Sequence, residues 1–321
     1  MSLNLNAQPI RVGVSACLLG HEVRFDGGHK RDGFLTEILS RFVEFVPVCP
    51  EVELGLGVPR ETLRLERRSS EIRMIANRSG VDHTEAMLSY AARRVDGLAG
   101  EELSGYILKK DSPSCGMLRV RVYGDGGVPS RDGRGLFAEA LIRRWPYLPV
   151  EEEGRLNDAV IRENFVERIF AYRRLQDFFA SRWTRGGLVK FHSAHKLMLL
   201  AHAPASYRAL GQIVAGMAAV QRPVLRANYA AGFMNALCKP ATAARNTNVL
   251  QHIAGYFRKL LDGDSRRELA ELIDDYRRGL IPLVVPITLL RHYARRFDIA
   301  YLKQQIYLDP HPRELMLRNH V

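Results

Sequence analysis

Residues 11–17 read RVGVSAC, and this short stretch decides how the chain begins to fold. Its apolar run is too short for a helix and closes on Ser-Ala-Cys, the pattern of a buried strand with a cysteine just past its end. Two later stretches have the same form. Residues 44–50 read EFVPVCP, a strand over 44–48 followed by Cys49 and Pro50. Residues 104–116 read SGYILKKDSPSCG, a strand over 104–109 followed by a loop that carries Cys115. Between them, residues 33–42 and 84–98 space their apolar side chains as amphipathic helices do. Strands alternating with helices predict an α/β domain, Rossmann-like, with a mostly parallel sheet. In such sheets ligands bind beyond the carboxyl ends of the strands, near a switch in strand order. If the three strands are neighbours, Cys17, Cys49 and Cys115 converge on one crevice.

The pattern changes after residues 145–156, WPYLPVEEEGRL, where two prolines, an acidic run and a glycine read as a break. Beyond it the chain reads as all-α. Candidate helices cover 157–179, 193–202, 206–220, 228–239, 246–261, 265–278 and 286–297, with Asn246 as an expected cap. The expected domains are therefore 1–153, α/β and catalytic, and 154–321, all-helical.

Composition narrows the class. Of 321 residues, 46% are hydrophobic and 26% charged, as in ordinary globular protein. Apolar runs fall short of the ~20 residues that span a bilayer, and the N-terminus lacks the layout of a signal peptide. A cytoplasmic protein with no membrane partner is expected. Residues 1–150 hold 21 Lys and Arg against 19 Asp and Glu, whereas the remainder holds 26 against 16. A basic second half points either to a polyanionic partner such as nucleic acid or to a solubilising surface.

Only four cysteines are present, at 17, 49, 115 and 238. A reducing cytosol makes disulfides a poor explanation. The close cysteine pairs of structural zinc sites are absent, as are C-x-x-C and the compact ferredoxin run. Metal binding, catalysis and core packing remain open on spacing alone. Cys238, within MNALCK at 234–239, reads as a small core residue, with a redox role or ligation as alternatives.

The local contexts add a resemblance. Cys17 lies in SACLLG with VRFDG following, Cys49 opens CPE, and Cys115 lies in KKDSPSCG. These segments resemble the signature of the thiouracil desulfidase (TudS) family. FHSAHK at 191–196, NVLQHIAGYF at 248–257 and VPITLLRHY at 285–293 resemble the YbgA-like helical domain. Chains that join both resemble bacterial tRNA 4-thiouridine desulfidases of the RudS type. The resemblance implies a [4Fe-4S] cluster on Cys17, Cys49 and Cys115, with one iron left open as a Lewis acid. A soft thiocarbonyl sulfur suits such an iron. The implied reaction is hydrolytic, C=S becoming C=O, and needs no nucleotide cofactor.

Glu51, two residues from Cys49, is the first choice for acid–base work, although it could instead cap the helix after Pro50. Ser112 could bind the base ring, and Asp26 is a weaker candidate that also reads as an Asp-Gly turn. Ser15 reads equally as a donor to the cluster and as a strand-end cap. Lys109 and Lys110 would face a phosphate backbone. In the helical half, Lys190, His192, His195, Lys196 and Arg245 are the nucleic-acid candidates, with a buried hydrogen-bonded histidine as the alternative for His192 and His195. Tyr256, Phe257 and Tyr293 read as helical core rather than as stacking residues.

The expected function is desulfidation of 4-thiouridine in tRNA. Two alternatives stand beside it: desulfidation of free thiouracil or thionated nucleotides, and a non-catalytic iron–sulfur sensor that binds nucleic acid.

Overall fold

The computed structural model describes residues 9–124 and 128–320. The chain divides into two compact units, 6–158 and a second that begins at 159.

The first unit is built on a four-stranded parallel sheet. Its strands are β1 (Arg11–Ser15), β2 (Glu44–Val48), β5 (Gly105–Leu108) and β8 (Val150–Glu152), in the order β2-β1-β5-β8. The central strand pairs Arg11 with Glu44 on one side and Val12 with Gly105 on the other. Burial on both faces explains its near-continuous apolar run, with Val12 and Val14 fully enclosed. Gly13 sits opposite Tyr106, and a methyl group there would collide with the fully buried Tyr106 ring. Helix α1 (Pro50–Glu53) follows β2. Helix α2 (Thr84–Gly97) buries Met87, Tyr90, Ala91 and Val95, one face at helical spacing. Helix α3 (Leu136–Arg144) packs beside it.

Three features of this unit differ from the expectation. The helix expected over 33–42 is a π-helical turn, Phe34–Ile38, followed by a 3-10 turn, Leu39–Arg41. There the hydroxyls of Thr36 and Ser40 hydrogen-bond the carbonyls of Asp32 and Thr36, a local competition that disturbs regular helix. The acidic run at 151–153 is not a break: Val150–Glu152 is an edge strand of the parallel sheet, with Glu151, Glu152 and Glu153 all buried. A second sheet, β4-β3-β6-β7, also appears, from β3 (Leu63–Arg68), β4 (Glu71–Ala76), β6 (Val120–Tyr123) and β7 (Ser130–Gly133).

The second unit is helical. Its main elements are α4 (Ala159–Ala180), α5 (Arg185–His202), α6 (Pro204–Ala215), α7 (Arg222–Leu237), α8 (Ala243–Gly255), α9 (Gly263–Arg277) and α10 (Val284–Arg296), with a short α11 (Ala300–Lys303). Thr184 and Asp262 cap α5 and α9 by accepting the amides of Gly187 and Ser265 at 3.0 and 2.8 Å. Helix α8 is capped by Thr242, three residues into whose helix Arg245 donates its amide. Asn246 is therefore not the cap. It is buried, bonded to the hydroxyls of Tyr276 and Tyr307. One continuous apolar core runs through the unit, including Leu197, Phe233, Leu250 and Leu290. Among the described residues no helix is long and apolar enough to cross a membrane.

Candidate active site

The carboxyl edge of the parallel sheet carries the three cysteines of the first unit. Cys17 falls in the turn after β1, Cys49 directly after β2, and Cys115 in the loop after β5. Because β1 lies between β2 and β5, the three positions meet, and all three line one cavity of 340 Å³ together with Glu51, Arg60 and Ser112.

Cys49 and Cys115 are held by different devices. Cys49 precedes Pro50 at the start of α1, and its thiol lies 3.7 Å from the Val23 carbonyl, to which it donates. Cys115 sits in a turn made by Ser112, whose hydroxyl accepts the amides of Ser114 and Cys115 at 3.3 and 3.1 Å. The N-terminus of α3 closes that turn from below, with Leu136 and Phe137 donating to the carbonyls of Pro113 and Ser114. Gly135 makes this approach possible, since a methyl group there would strike the Ser114 carbonyl and the Cys115 amide. The buried carboxylates of β8 fasten the same loop from the other side. Glu152 accepts the amides of Met117 and Leu118 at 2.7 and 3.2 Å. Glu153 takes the Lys110 amide at 2.8 Å and the Lys109 ammonium at 2.6 Å.

Burial dominates the chemistry of the thiols. It pushes Cys17 up to about 11 against the opposing charge of Lys109. It raises Cys49 as well, and Cys115 well above the ordinary thiol value despite a hydrogen bond from Ser15. Such thiols are weak nucleophiles, and a metal that displaces their protons turns them into thiolate ligands. Among the described residues, no three His, Cys, Asp or Glu side chains are gathered closely enough to share a single metal ion. Three cysteines around one cavity supply the thiolate donors on which iron–sulfur clusters are held.

Glu51 lies in the cavity wall, half-buried and ion-paired. Its Oε2 accepts Arg60 Nε at 2.9 Å and Nη2 at 2.7 Å, and its Oε1 accepts the Ser114 hydroxyl. Glu53 is occupied elsewhere, by the Tyr90 hydroxyl and Arg94 on one oxygen and by the Cys49 amide on the other. Of the two carboxylates, Glu51 lines the cavity and Glu53 does not. Arg60, given no role by the sequence reading, also donates to the carbonyls of Val23 and Gly57, at 3.0 Å each.

Other expectations change. Asp26 lies outside the cavity lining and is exposed, its Oδ1 accepting the Gly28 amide at 3.1 Å; the turn role fits it. Ser15 joins the strand-end role to the thiol contact, for its hydroxyl also accepts the Lys109 amide at 3.0 Å. Lys109 turns inward to Glu153, and Lys110 is exposed on the cavity wall.

In the helical unit His195 is 2% exposed. Its Nδ1 donates to the Phe191 carbonyl at 2.8 Å and its Nε2 accepts Arg174 at 3.3 Å, so it cannot meet a phosphate. Arg245 donates to the His202 carbonyl at 2.8 Å within the fold. Lys190 is exposed, while His192 and Lys196 are half-buried. Cys238 is exposed at the end of α7, not a core residue. Phe257 and Tyr293 are core, whereas Tyr256 is exposed.

The chain thus joins an α/β unit, with a thiol-lined cavity at the carboxyl edge of its parallel sheet, to a helical unit. The chain belongs to the 2-thiouracil desulfurase family, whose model matches residues 12–153; residues 196–312 match a second family model, a protein of unknown function designated DUF1722. The chain is 40% identical over 153 residues to the uncharacterised protein YbgA of Escherichia coli (strain K12), spanning 47% of this chain and 90% of that protein. It is 32% identical over 150 residues to the uncharacterised protein YbbK of Bacillus subtilis (strain 168), spanning 45% and 97%. A solved [4Fe-4S]-dependent thiouracil desulfidase, TudS, is 31% identical, with 46% of this chain and 93% of that one covered and a TM-score of 0.38. Family membership makes the protein an enzyme of the desulfidase class.

Proposed function

We propose that the protein removes sulfur from 4-thiouridine in tRNA, giving uridine, with Cys17, Cys49 and Cys115 holding a [4Fe-4S] cluster. The observation that carries this reading is the convergence of three thiols, two buried and one half-buried, and the Arg60-bound Glu51 on one cavity. Held by three thiolates, such a cluster supplies an iron open to a soft thiocarbonyl sulfur.

The chain's own residues supply the rest. Water adds its oxygen to the ring carbon and the sulfur departs as sulfide, so C=S and H2O give C=O and H2S. Glu51 accepts the proton of the attacking water, and Arg60 fixes the carboxylate toward the cavity. Ser112, in the wall, shapes the Cys115 turn and offers its hydroxyl to the ring. Lys110 and Lys30 bring positive charge to the same wall, suited to the phosphates that flank a nucleotide.

The RNA assignment is supported by charge. From residue 159 onward the chain holds 25 Lys and Arg against 12 Asp and Glu. A phosphate backbone is the common partner of such a surface, and the modified base must leave its stack to enter the cavity. Anaerobic incubation with thiolated tRNA should release sulfide with loss of the thiouridine absorbance. Efficient turnover of free thiouracil with none of tRNA would sink the RNA assignment and leave a small-molecule desulfidase.

A further inference from the structure

The helical unit gathers aromatic and basic side chains on one face at the edge of its core, where Tyr207 and Tyr301 pack against the core and remain only half-buried. On α5 and α6, the rings of His192 and Tyr207 stack at 5.4 Å with an interplanar angle of 4°. Beyond the end of α8, Tyr256 stacks on Tyr301 of α11 at 5.4 Å and 18°, and His252 meets the Tyr256 ring edge-on at 5.8 Å. The two pairs belong to one cluster. Lys196 lies close enough for its charge to act on both His192 and His252, and Tyr207 and Tyr256 both act on the Tyr301 phenol. Burial, and then the Lys196 ammonium, hold both imidazoles below their usual range, so at neutral pH these are uncharged flat rings beside a single cation.

Aromatic side chains in a protein core are enclosed on all sides, as Phe257 and Tyr293 are. Here Tyr256 is 39% exposed, His252 is exposed, and His192, Tyr207 and Tyr301 are half-buried. Flat rings at the surface, with a lysine between them, match what unpaired nucleotides need: faces on which bases stack, and a cation for the phosphate that joins them. A duplex offers no free base faces to such a surface. The excess of 25 basic over 12 acidic residues in this unit supplies the long-range attraction.

We infer that the face formed by His192, Lys196, Tyr207, His252, Tyr256 and Tyr301 docks unpaired nucleotides of an RNA. This rests on the tRNA reading above and adds to it where on the helical unit an unpaired loop is held.

The test uses the full chain with a fluorescein-labelled oligouridylate and, separately, a duplex RNA. Tyr256→Ala should weaken oligouridylate binding by roughly 5- to 100-fold, the range for losing one stacked base, and leave duplex binding unchanged. Tyr256→Phe, which keeps the ring, should restore parent affinity. Lys196→Gln should flatten the salt dependence by roughly 0.7 in the log–log slope, one phosphate contact on a single strand. Thermal melts matching the parent exclude simple unfolding. Equal binding by parent, Tyr256→Ala and Tyr256→Phe overturns the surface, as does a parent that binds no oligouridylate. Sulfide release from thiolated tRNA separates the two ideas. A parent active on tRNA whose Tyr256→Ala variant shows unchanged KM overturns the surface alone. A parent inactive on tRNA that still binds oligouridylate through Tyr256 overturns the assigned reaction alone.

Discussion

The Arg60 guanidinium grips one oxygen of Glu51 with two of its nitrogens, at 2.9 and 2.7 Å, and fixes its third nitrogen on the carbonyls of Val23 and Gly57. Arg60 thereby ties the carboxylate to the loop after β1, whose Val23 carbonyl also receives the Cys49 thiol. The Glu51 carboxylate and the Cys49 thiol are thus tied to the same loop, through one arginine whose side chain is 7% exposed. Glu51→Gln keeps the shape and removes the carboxylate that the proposed reaction uses to accept a proton. Sulfide release should fall by roughly 10²- to 10⁴-fold while iron content stays at the parent level. Loss of iron in this variant would instead make Glu51 part of the cluster's support.

Arg60→Lys separates charge from geometry. Lysine keeps the positive charge and cannot reproduce the planar fork. Turnover should drop by at least roughly tenfold, with Glu51 released from its position and the ~1.4 kcal/mol that this corresponds to appearing in the barrier. Turnover equal to the parent would show that charge near Glu51 is sufficient.

The cysteines divide cleanly by environment. Cys17→Ala, Cys49→Ala and Cys115→Ala should each lose iron and acid-labile sulfide after anaerobic reconstitution, along with turnover. Cys238→Ala should keep both, because Cys238 is exposed at the end of α7. In the metal-free protein, alkylation followed by mass spectrometry should modify Cys238 first, since burial raises the other three thiols. Iron loss in Cys238→Ala would require a fourth ligand and contradict the open-iron reading.

The strand-end cysteines were legible because a short apolar run and the turn that ends it are local properties of sequence. Arg60 was not, since its partners Val23, Glu51 and Gly57 come from separate segments and only the folded loop joins them. The run at 151–153 misleads for a related reason: three adjacent glutamates look solvated until the amides of Met117, Leu118 and Lys110 are brought against them. The second sheet left a weak trace, LRLERR at 63–68, where Leu63 and Leu65 alternate with charged residues. The alternation stops at Arg67, a charged residue on the face of Leu63 and Leu65, which left the period-two signal too short to read. In the helical unit, His195 and Tyr256 exchange the roles their sequence contexts suggest, because a face of a helix is assigned to core or solvent only by the helices packed on it.

Gly135 tests how tightly the Cys115 turn is seated. A methyl group there must displace the Ser114 carbonyl or the Cys115 amide, both backbone and therefore unable to rotate aside. Gly135→Ala should cost about 1–3 kcal/mol of stability in urea denaturation, the range for forced overpacking, and should lower iron retention during gel filtration. Gly124→Ala, where an added methyl meets nothing within 4 Å, is the matched control. Equal iron retention in both variants would show that the turn adapts without moving Cys115.

Acid should loosen the helical unit through His195. Burial, with Arg174 adding to it, pushes this imidazole down to about 3. An unfolded chain protonates the same side chain near pH 6.5, so below that value the unfolded state binds a proton that the folded state refuses. Stability attributable to His195 is therefore intact above pH 6.5 and declines as pH falls, by about 1.4 kcal/mol per pH unit, until the folded value is reached. His311 and His192, both lowered by burial, act in the same direction. His202 opposes them: Glu167 holds it above the usual imidazole range, so its contribution is present below pH 6.5 and lost as pH rises. Urea denaturation at pH 7 and pH 5 isolates the His195 share. Between those values the parent should lose about 2 kcal/mol more than His195→Gln, which cannot take up the proton. The same pH dependence in both proteins would place the acid sensitivity on other groups.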